Sequence, residues 1–158
     1  MALAANDHFK PIGMLNGTPF PIMKVTKASA TTWNKGDIII ATSGLAVVAT
    51  DGPTTGTILG VALNDAVDGE TEKEICPALP GVVFSGRIAT GDAGGDYTSL
   101  ITNRYVRYGI SLDASGAWYI NAADTTDLAA LVLEFIDAIG TNLAKVKFTF
   151  CDSIFNAI

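Results

Sequence analysis

The amino-acid sequence predicts an all-β protein, a small glycine-punctuated β-barrel or sandwich, from three local patterns. Residues 31–86 contain short runs of Ile, Val, Leu and Ala that Gly, Asp, Asn or Pro interrupts every few positions. This pattern is typical of short strands joined by tight turns. Residues 104–120 form two alternating runs around a turn, and residues 144–150 alternate strictly between apolar and polar side chains. Strict alternation indicates a strand with one buried and one solvated face.

The composition indicates one domain with a charge-poor exterior. The chain has 158 residues, which is long enough to bury a core without a disulfide or a structural metal. Apolar residues make up 49% and charged residues 16% of the chain, against a typical charged share of about a quarter. Because so few charges cover the surface, we expect part of it to be buried against another chain, and we predict self-association or docking to a larger body.

The charge distribution argues against two classes of partner. The net charge is −6 and the ten Lys and Arg residues are scattered, so we predict binding neither to nucleic acid nor to an anionic membrane surface. No run approaches the roughly 20 apolar residues of a membrane helix. The first residues lack the basic start and apolar stretch of a secretion signal, which predicts synthesis in the cytoplasm.

Residues 1–30 are interpreted as an extended N-terminal arm ahead of a single β-domain at 31–158. The arm contains Pro11, Pro19 and Pro21, which remove backbone donors and interrupt both helical and strand patterns. It also carries several large apolar side chains. We expect these side chains to lie against the arm's own domain, a neighbouring subunit or a partner surface.

In the first half of the predicted domain, turn residues bound each apolar run. Asp51-Gly52 is the strongest such signal, because this pair readily adopts the positive φ angles of a tight reversal. The Glu and Lys residues of 71–76 indicate a more exposed strand there. The predicted strands in this half are 37–42, 45–49, 58–63, 71–76 and 82–86.

Residues 91–96, Gly-Asp-Ala-Gly-Gly-Asp, are the most loop-like stretch of the chain. No Gly-Lys-Ser/Thr follows, so this is not a phosphate-binding loop. Asp92 and Asp96 are two potential calcium ligands, but an EF-hand loop needs further oxygen ligands and a closing Glu at fixed spacing. A solvated turn is the favoured interpretation.

The second half predicts a hairpin around residues 113–116, followed by a segment that admits two structures. The hairpin contains four aromatic residues, which we expect to form cross-strand pairs, although a stacking platform for bases or sugars uses the same residue types. They are Tyr105, Tyr108, Trp118 and Tyr119. In residues 124–136, Asp124 can cap a short helix, but an all-β context favours a buried strand.

Residues able to carry chemistry are sparse. His8 is the only histidine, and it lies in the predicted arm, so we predict neither a Ser-His-Asp nor a Cys-His arrangement. Cys76 and Cys151 stand alone, which favours free thiols over a disulfide or a zinc site. The acidic residues lie largely at turns, although a pair of catalytic carboxylates stays open. We predict no cofactor and no enzymatic activity.

Three segments of the chain resemble the head decoration, or cement, proteins of tailed bacteriophages, of which the lambda-like head decoration proteins are an example. The segments are Gly-Asp-Ile-Ile at 36–39, Gly-Val-Ala at 60–62 and Pro-Gly-Val-Val-Phe-Ser-Gly at 80–86. The resemblance implies a homotrimer on the outer capsid surface of the virion that bridges neighbouring major capsid protein subunits. Under this hypothesis the arm supplies the contact residues, which are Phe9, Ile12, Met14, Leu15 and Phe20.

Two other hypotheses remain open at this stage. The first is another virion structural module, such as a fibre, tail or baseplate component, or a carbohydrate-binding β-sandwich that uses the four hairpin aromatics. The second is an enzyme with a site built between the subunits of a trimeric β-fold from Asp and Thr residues. Loss of glycan binding on Trp118→Ala would identify the first, and loss of activity on a single Asp→Asn change would identify the second.

Overall fold

The computed structural model describes Leu3 and residues 8–54, 56–91 and 95–155. The described residues confirm the prediction of an all-β fold, with one 3₁₀ turn at Ile101–Asn103. No helix among them is long and apolar enough to cross a membrane. The strands of the described residues are β1 (Lys10–Met14), β2 (Met23–Thr26), β3 (Ile38–Thr42), β4 (Leu45–Val48), β5 (Ile58–Ala62), β6 (Glu72–Pro77), β7 (Val82–Ala89), β8 (Arg107–Leu112), β9 (Trp118–Asn121), β10 (Ala130–Phe135) and β11 (Lys145–Phe150).

Five of these strands, including β7, form a closed barrel, which confirms the barrel prediction. The order β7-β11-β10-β8-β9 returns to β7 because β9 pairs with it in parallel, at Arg87↔Tyr119. Strand β9 occupies only the second half of this edge of β7. The first half of the same edge pairs with β1 in antiparallel fashion. Strand β7 therefore pairs with β1 and β9 along one edge and with β11 along the other.

The other five strands form a second sheet in the order β2-β6-β5-β3-β4. This sheet curls until its two edge strands meet, where Lys27 and Ala46 form a bridge and Ala28 N donates to Ala46 O at 3.0 Å. Successive side chains of its strands point to opposite faces. Ile39 enters a small core within the curled sheet, whereas Ile38 packs in the main core against the barrel. Both faces of this sheet are buried, which explains why the apolar runs in its strands are continuous and do not alternate with polar residues.

Aromatic rings fill the main core. Phe148 is in contact with Phe9, Phe84 and Phe150, with ring centroids 4.8, 5.8 and 5.4 Å away. Gly86 leaves the space for Phe9, since a Cβ atom there would stand 2.5 Å from the Phe9 ring. The main core therefore depends on a residue from the N-terminal segment.

The structure places residues 10–26 differently from the interpretation of an extended arm. Strand β1 pairs with β7, and β2 pairs with β6, so each sheet receives one strand from this segment. Leu3 is also buried, in an outer cluster with Tyr119 and Leu143. Pairing satisfies backbone groups that an isolated arm would leave to solvent. The prolines are compatible with it because Pro11 lies in an edge strand and the other two lie between strands.

The second half of the chain follows the predictions with two differences of detail. Residues 130–135 form β10, so the strand interpretation is correct and the short helix near 125–136 is not formed. The predicted hairpin is β8–β9, but its aromatics do not pair across the strands, since Trp118 lies opposite Leu112 and Tyr119 opposite Ser111. Both thiols are free. In the predicted solvated turn, Asp92 lies outside the described residues.

Candidate interaction surface

The five predicted contact residues occupy very different environments. Phe9 is 1% exposed and belongs to the main core, so it is not available to a partner. Met14 and Phe20 pack partly against the same core. Ile12 is 45% exposed and Leu15 is 65% exposed. The surface that a partner can reach is therefore centred on Ile12 and Leu15, at the end of β1.

Ile12, Met14 and Leu15 line one wall of a groove of about 490 Å³ on the outer face of the barrel. We call it the β1 groove. Residues from four other parts of the barrel complete it, and three of them carry charge. The complete lining is Ile12, Gly13, Met14, Leu15, Val83, Arg104, Tyr105, Leu133, Glu134, Lys147.

Backbone irregularities present the two apolar side chains of this wall to solvent. A bulge between Pro11 and Gly13 leaves Ile12 without a partner in the β1–β7 register. Leu15 opens the turn after β1, where its N–H donates to Gly81 O at 2.8 Å and the N–H of Met14 donates to Thr18 O at 2.9 Å. Ile12 is therefore exposed at a bulge, and Leu15 is exposed on a turn whose backbone is hydrogen-bonded.

Tyr105 forms the opposite wall and is the most exposed large apolar side chain of the described residues, at 73%. Its φ of 62° lies in the left-handed region, which costs a non-glycine residue roughly 1–3 kcal/mol. The N–H of Tyr105 donates to Val132 O at 2.8 Å, which holds this conformation against β10. Residues in such backbone conformations occur often at functional sites.

A buried polar network supports the loop that carries Tyr105. Asn103, which is 2% exposed, donates from Nδ2 to the hydroxyls of Tyr97 at 2.7 Å and Tyr108 at 2.8 Å. Its Oδ1 accepts the N–H of Leu100 at 2.7 Å. Because all these groups are satisfied, the loop is held in one conformation next to the groove.

The charged side chains that line the groove differ in whether they have an ion-pair or hydrogen-bond partner. Lys147 Nζ lies 2.9 Å from Glu134 Oε2, and the hydrogen bond from Lys147 lowers the pKa of Glu134, with a smaller contribution from Arg104. Arg104 packs against the Phe135 ring, 5.9 Å from its centroid. The buried Arg104 Nε has no hydrogen-bond partner among the described residues. The lining thus holds two cations and one anion, a balance of +1, in a chain of net charge −6.

The edge of β1 does not favour addition of a partner strand. Pro11 has no N–H to donate, and Met14 uses both its N–H and its carbonyl within the turn, with Thr18 and Gly17. Proline and a bulge are common means of protecting a sheet edge. We therefore expect the β1 groove to engage a partner through side chains and not through a shared sheet.

Phe9 and Phe20 line a second cavity, of about 700 Å³, between the N-terminal segment and the curled sheet. Within the residues that the structure describes, His8 Nδ1 is buried there without a hydrogen-bond partner. Asp65 also lines this cavity, and its Oδ1 accepts the N–H of Lys35 at 2.7 Å. The predicted contact residues are thus divided between two cavities, and only the β1 groove presents strongly exposed apolar side chains.

The described residues contain no group of three or more His, Cys, Asp or Glu side chains that could hold a metal ion. Burial raises the pKa of the Cys76 thiol to about 12 and also raises that of Cys151. A thiol with a raised pKa is a poor nucleophile at neutral pH.

No protein-family model matches this chain, and no curated protein sequence matches it. Three of the four hairpin aromatics, for which a stacking platform is the alternative to packing, are buried, with Tyr108 at 7%, Trp118 at 1% and Tyr119 at 0% exposure. Only Tyr105 is available to a ligand. The sequence patterns did not group Arg104, Glu134 and Lys147, because Arg104 lies on a separate loop and a bulge in β10 sets the register that places Glu134 opposite Lys147. Alternation in β11 did place Lys147 on the outer face of its strand.

Proposed function

We propose that this protein is a structural decoration protein of a bacteriophage virion. It binds the outside of the capsid as a trimer and stabilises it by bridging neighbouring major capsid subunits. The observation that best supports this proposal is the β1 groove, in which Leu15 and Tyr105 are exposed on hydrogen-bonded backbone beside the exposed Ile12. The proposal extends the resemblance in residues 31–86 to a surface formed by other parts of the chain.

A protein that holds two subunits together must lose little conformational entropy when it binds. The residues of the β1 groove meet this requirement. The closed barrel carries the floor, the Leu15 turn is internally hydrogen-bonded, and the Asn103 network supports Tyr105. A rigid apolar surface of this kind suits a clamp and needs no chemistry.

The exposed area bears on how a trimer would form. The chain exposes 7393 Å² for a mass of 16.4 kDa, close to the roughly 7,500 Å² of a compact monomer of that mass. Strands β1 and β2 are also paired within the chain itself. In the proposed trimer, complete folded bodies dock against each other without exchanging N-terminal arms.

A second exposed apolar region is available for contact between copies. It lies on two loops that are joined by the bonds Ser99 N to Thr141 O at 3.1 Å and Gly140 N to Ser99 O at 2.9 Å. Its exposed side chains, which are 46–54% exposed, are Leu100, Ile101, Ile136 and Ile139. We assign this loop region to the trimer contact and the β1 groove to the shell contact.

Sedimentation with purified shells of the phage whose genome encodes the chain tests the shell contact. Leu15→Ser removes an exposed apolar group of the groove, and Val67→Ser is the matched control, since Val67 is 60% exposed and outside the lining. We expect wild type and Val67→Ser to sediment with shells and Leu15→Ser to bind more weakly. Failure of the wild-type protein to bind shells would reject the proposal.

Light scattering on the purified protein tests the oligomeric state. A trimer has a mass of three times 16.4 kDa, about 49 kDa. We expect Ile139→Ser to lower this mass toward that of the monomer, while Leu15→Ser leaves it unchanged. A monomer at all concentrations, both alone and on shells, would contradict the trimer.

A further inference from the structure

We propose that the partner segment of the β1 groove is an extended peptide that carries one carboxylate between apolar side chains, and that this carboxylate binds Arg104. The inference rests on the proposed function, in that the groove is the shell-contact site, and it specifies the chemistry that the groove recognises. Three observations carry it: the Arg104 guanidinium in the groove lining, the local charge balance, and apolar walls on both sides.

Arg104 carries a side-chain donor, Nε, that lacks a hydrogen-bond partner among the described residues. This nitrogen is buried, and burying an unsatisfied donor is unfavourable. The Phe135 ring lies beside the guanidinium at 5.9 Å and restricts where it can move. Because Nε is buried, a carboxylate that enters the groove would bind the N–H donors of the two Nη atoms, which a planar guanidinium presents as a pair.

The neighbouring charges favour an anion at this place. Lys147 already forms an ion pair with Glu134 at 2.9 Å. The pKa of Glu134 is lowered mainly by Lys147 and only weakly by Arg104. One positive charge therefore remains in the groove of a protein whose net charge is −6. Charge complementarity selects an acidic side chain over a basic one, because a basic side chain would meet Arg104 and Lys147 in a partly desolvated site.

The walls define what flanks the carboxylate. Ile12 and Leu15 stand on one side of the groove, and Tyr105 and Leu133 stand on the other. An extended chain places successive side chains about 3.3 Å apart on opposite faces, so apolar residues on either side of the acidic residue can reach these walls. Since β1 offers few free edge groups, the recognition depends on side chains.

A displayed library of random heptapeptides, panned on the full chain, tests the proposal without assuming the partner's identity. We expect enriched peptides to carry Asp or Glu flanked by apolar residues. Fluorescence polarisation with a fluorescein-labelled enriched peptide and its Asp→Asn or Glu→Gln counterpart then measures the contribution of the carboxylate. Absence of enrichment, or enrichment of peptides without an acidic residue, would overturn the inference.

Three variants assign the binding to named groups. Arg104→Gln should weaken peptide binding by about tenfold or more, as expected for loss of a hydrogen bond to a charged group. Arg107→Gln, an exposed arginine outside the groove lining, should leave binding unchanged. Glu134→Gln should strengthen binding, because it frees Lys147 and removes a repelling carboxylate. Equal binding by Arg104→Gln, or equal losses in both arginine variants, would contradict the proposal.

Folding and function are separated by two further readouts. If the melting temperature of Arg104→Gln differs from that of wild type, its weaker binding does not identify the guanidinium, and the Glu134→Gln variant decides. Unchanged or weaker peptide binding by Glu134→Gln then rejects the inference. Peptide recognition by a protein that does not sediment with shells leaves the inference standing and rejects the proposed function. Shell binding that Arg104→Gln leaves intact rejects the inference and leaves the proposed function standing.

Discussion

Trp118 Nε1 donates a hydrogen bond to Asp37 Oδ1 at 3.1 Å, and this bond joins the barrel to the curled sheet across 81 positions of sequence. Both residues are buried, with Asp37 8% and Trp118 1% exposed. Oδ2 of the same carboxylate accepts the N–H of Asn34 at 2.8 Å. One carboxylate therefore ends the turn before β3 and fixes that turn against β9.

Replacing Asp37 should destabilise the fold through both of these bonds. Asp37→Ala leaves the indole N–H and the Asn34 N–H without their acceptor, so we expect the free energy of unfolding to fall by about 1–3 kcal/mol. Asp37→Asn keeps one acceptor oxygen and should cost less. Urea denaturation followed by Trp fluorescence measures both variants, and equal stability of Asp37→Ala and wild type would contradict the role of this carboxylate.

Lys27 should be the lysine to which stability is most sensitive. Its ammonium is buried and donates to the carbonyls of Ala28 at 2.9 Å, Ser29 at 3.0 Å and Glu70 at 3.1 Å, where the curled sheet closes. Lys27→Met keeps the side-chain length but leaves these carbonyls without their charged donor. We expect unfolding free energy to fall by about 1.5–3 kcal/mol or more.

Lys24→Met is the matched control for this prediction, because Lys24 lies in the same strand region and is exposed. Exposed substitutions of this kind usually change stability by less than about 0.5 kcal/mol. Thermal and urea unfolding of the two variants should therefore differ clearly. Similar curves for Lys27→Met and Lys24→Met would show that the three carbonyl contacts contribute nothing.

Acidification should weaken the fold through Asp124. Burial by itself raises the pKa of this carboxyl, but hydrogen bonds from the N–H and hydroxyl of Thr126 and from the N–H of Asp127 outweigh burial, so its pKa is lowered. A carboxyl with a lowered folded-state pKa contributes stability above its unfolded pKa of about 3.9, and this contribution is lost as pH falls through the folded pKa.

The measurement is the unfolding midpoint in urea between pH 6 and pH 3, for wild type and Asp124→Asn. Wild type should lose stability below about pH 4, while Asp124→Asn should be less stable at pH 6 and lose less on acidification. Glu70 and Glu134 also have lowered pKa values, from the Val67 N–H and from Lys147 respectively, so some acid sensitivity remains in the variant. Identical pH profiles of wild type and Asp124→Asn would show that Asp124 does not contribute to the loss of stability in acid.

Phe9 should behave as a core residue although the sequence interpretation placed it in an arm. Phe9→Ala removes a ring that packs on Phe148 at 4.8 Å and over Gly86, and large-to-small changes of this kind cost about 3–5 kcal/mol. Leu15→Ser, by contrast, should leave unfolding almost unchanged. Urea denaturation of the two variants checks this, and a stable Phe9→Ala protein would return Phe9 to the candidate contact residues.

Much of the fold follows from local patterns. The alternation in 144–150 predicts β11, the turn at 113–116 predicts the β8–β9 hairpin, and Asp51-Gly52 separates β4 from β5. These predictions succeed because strand periodicity and turn geometry depend on neighbouring residues. The low charge content likewise anticipates the exposed apolar side chains. The amino-acid sequence by itself thus determined an all-β class, most strand positions and the absence of an obvious catalytic motif.

Tertiary structure decided which of the apolar and charged residues are available. Phe9 is buried because β1 pairs with β7, about 70 positions away. The bulge at Ile12, by contrast, leaves the Ile12 side chain exposed. Glu134 and Lys147 lie opposite each other in β10 and β11, but Arg104 joins them only where the Tyr105 loop is bonded to β10. Long-range pairing sets these positions, and no local pattern encodes it. The candidate site is therefore a property of the assembled sheet, since the pairing of β1, β7, β11 and β10 brings its residues together on one face.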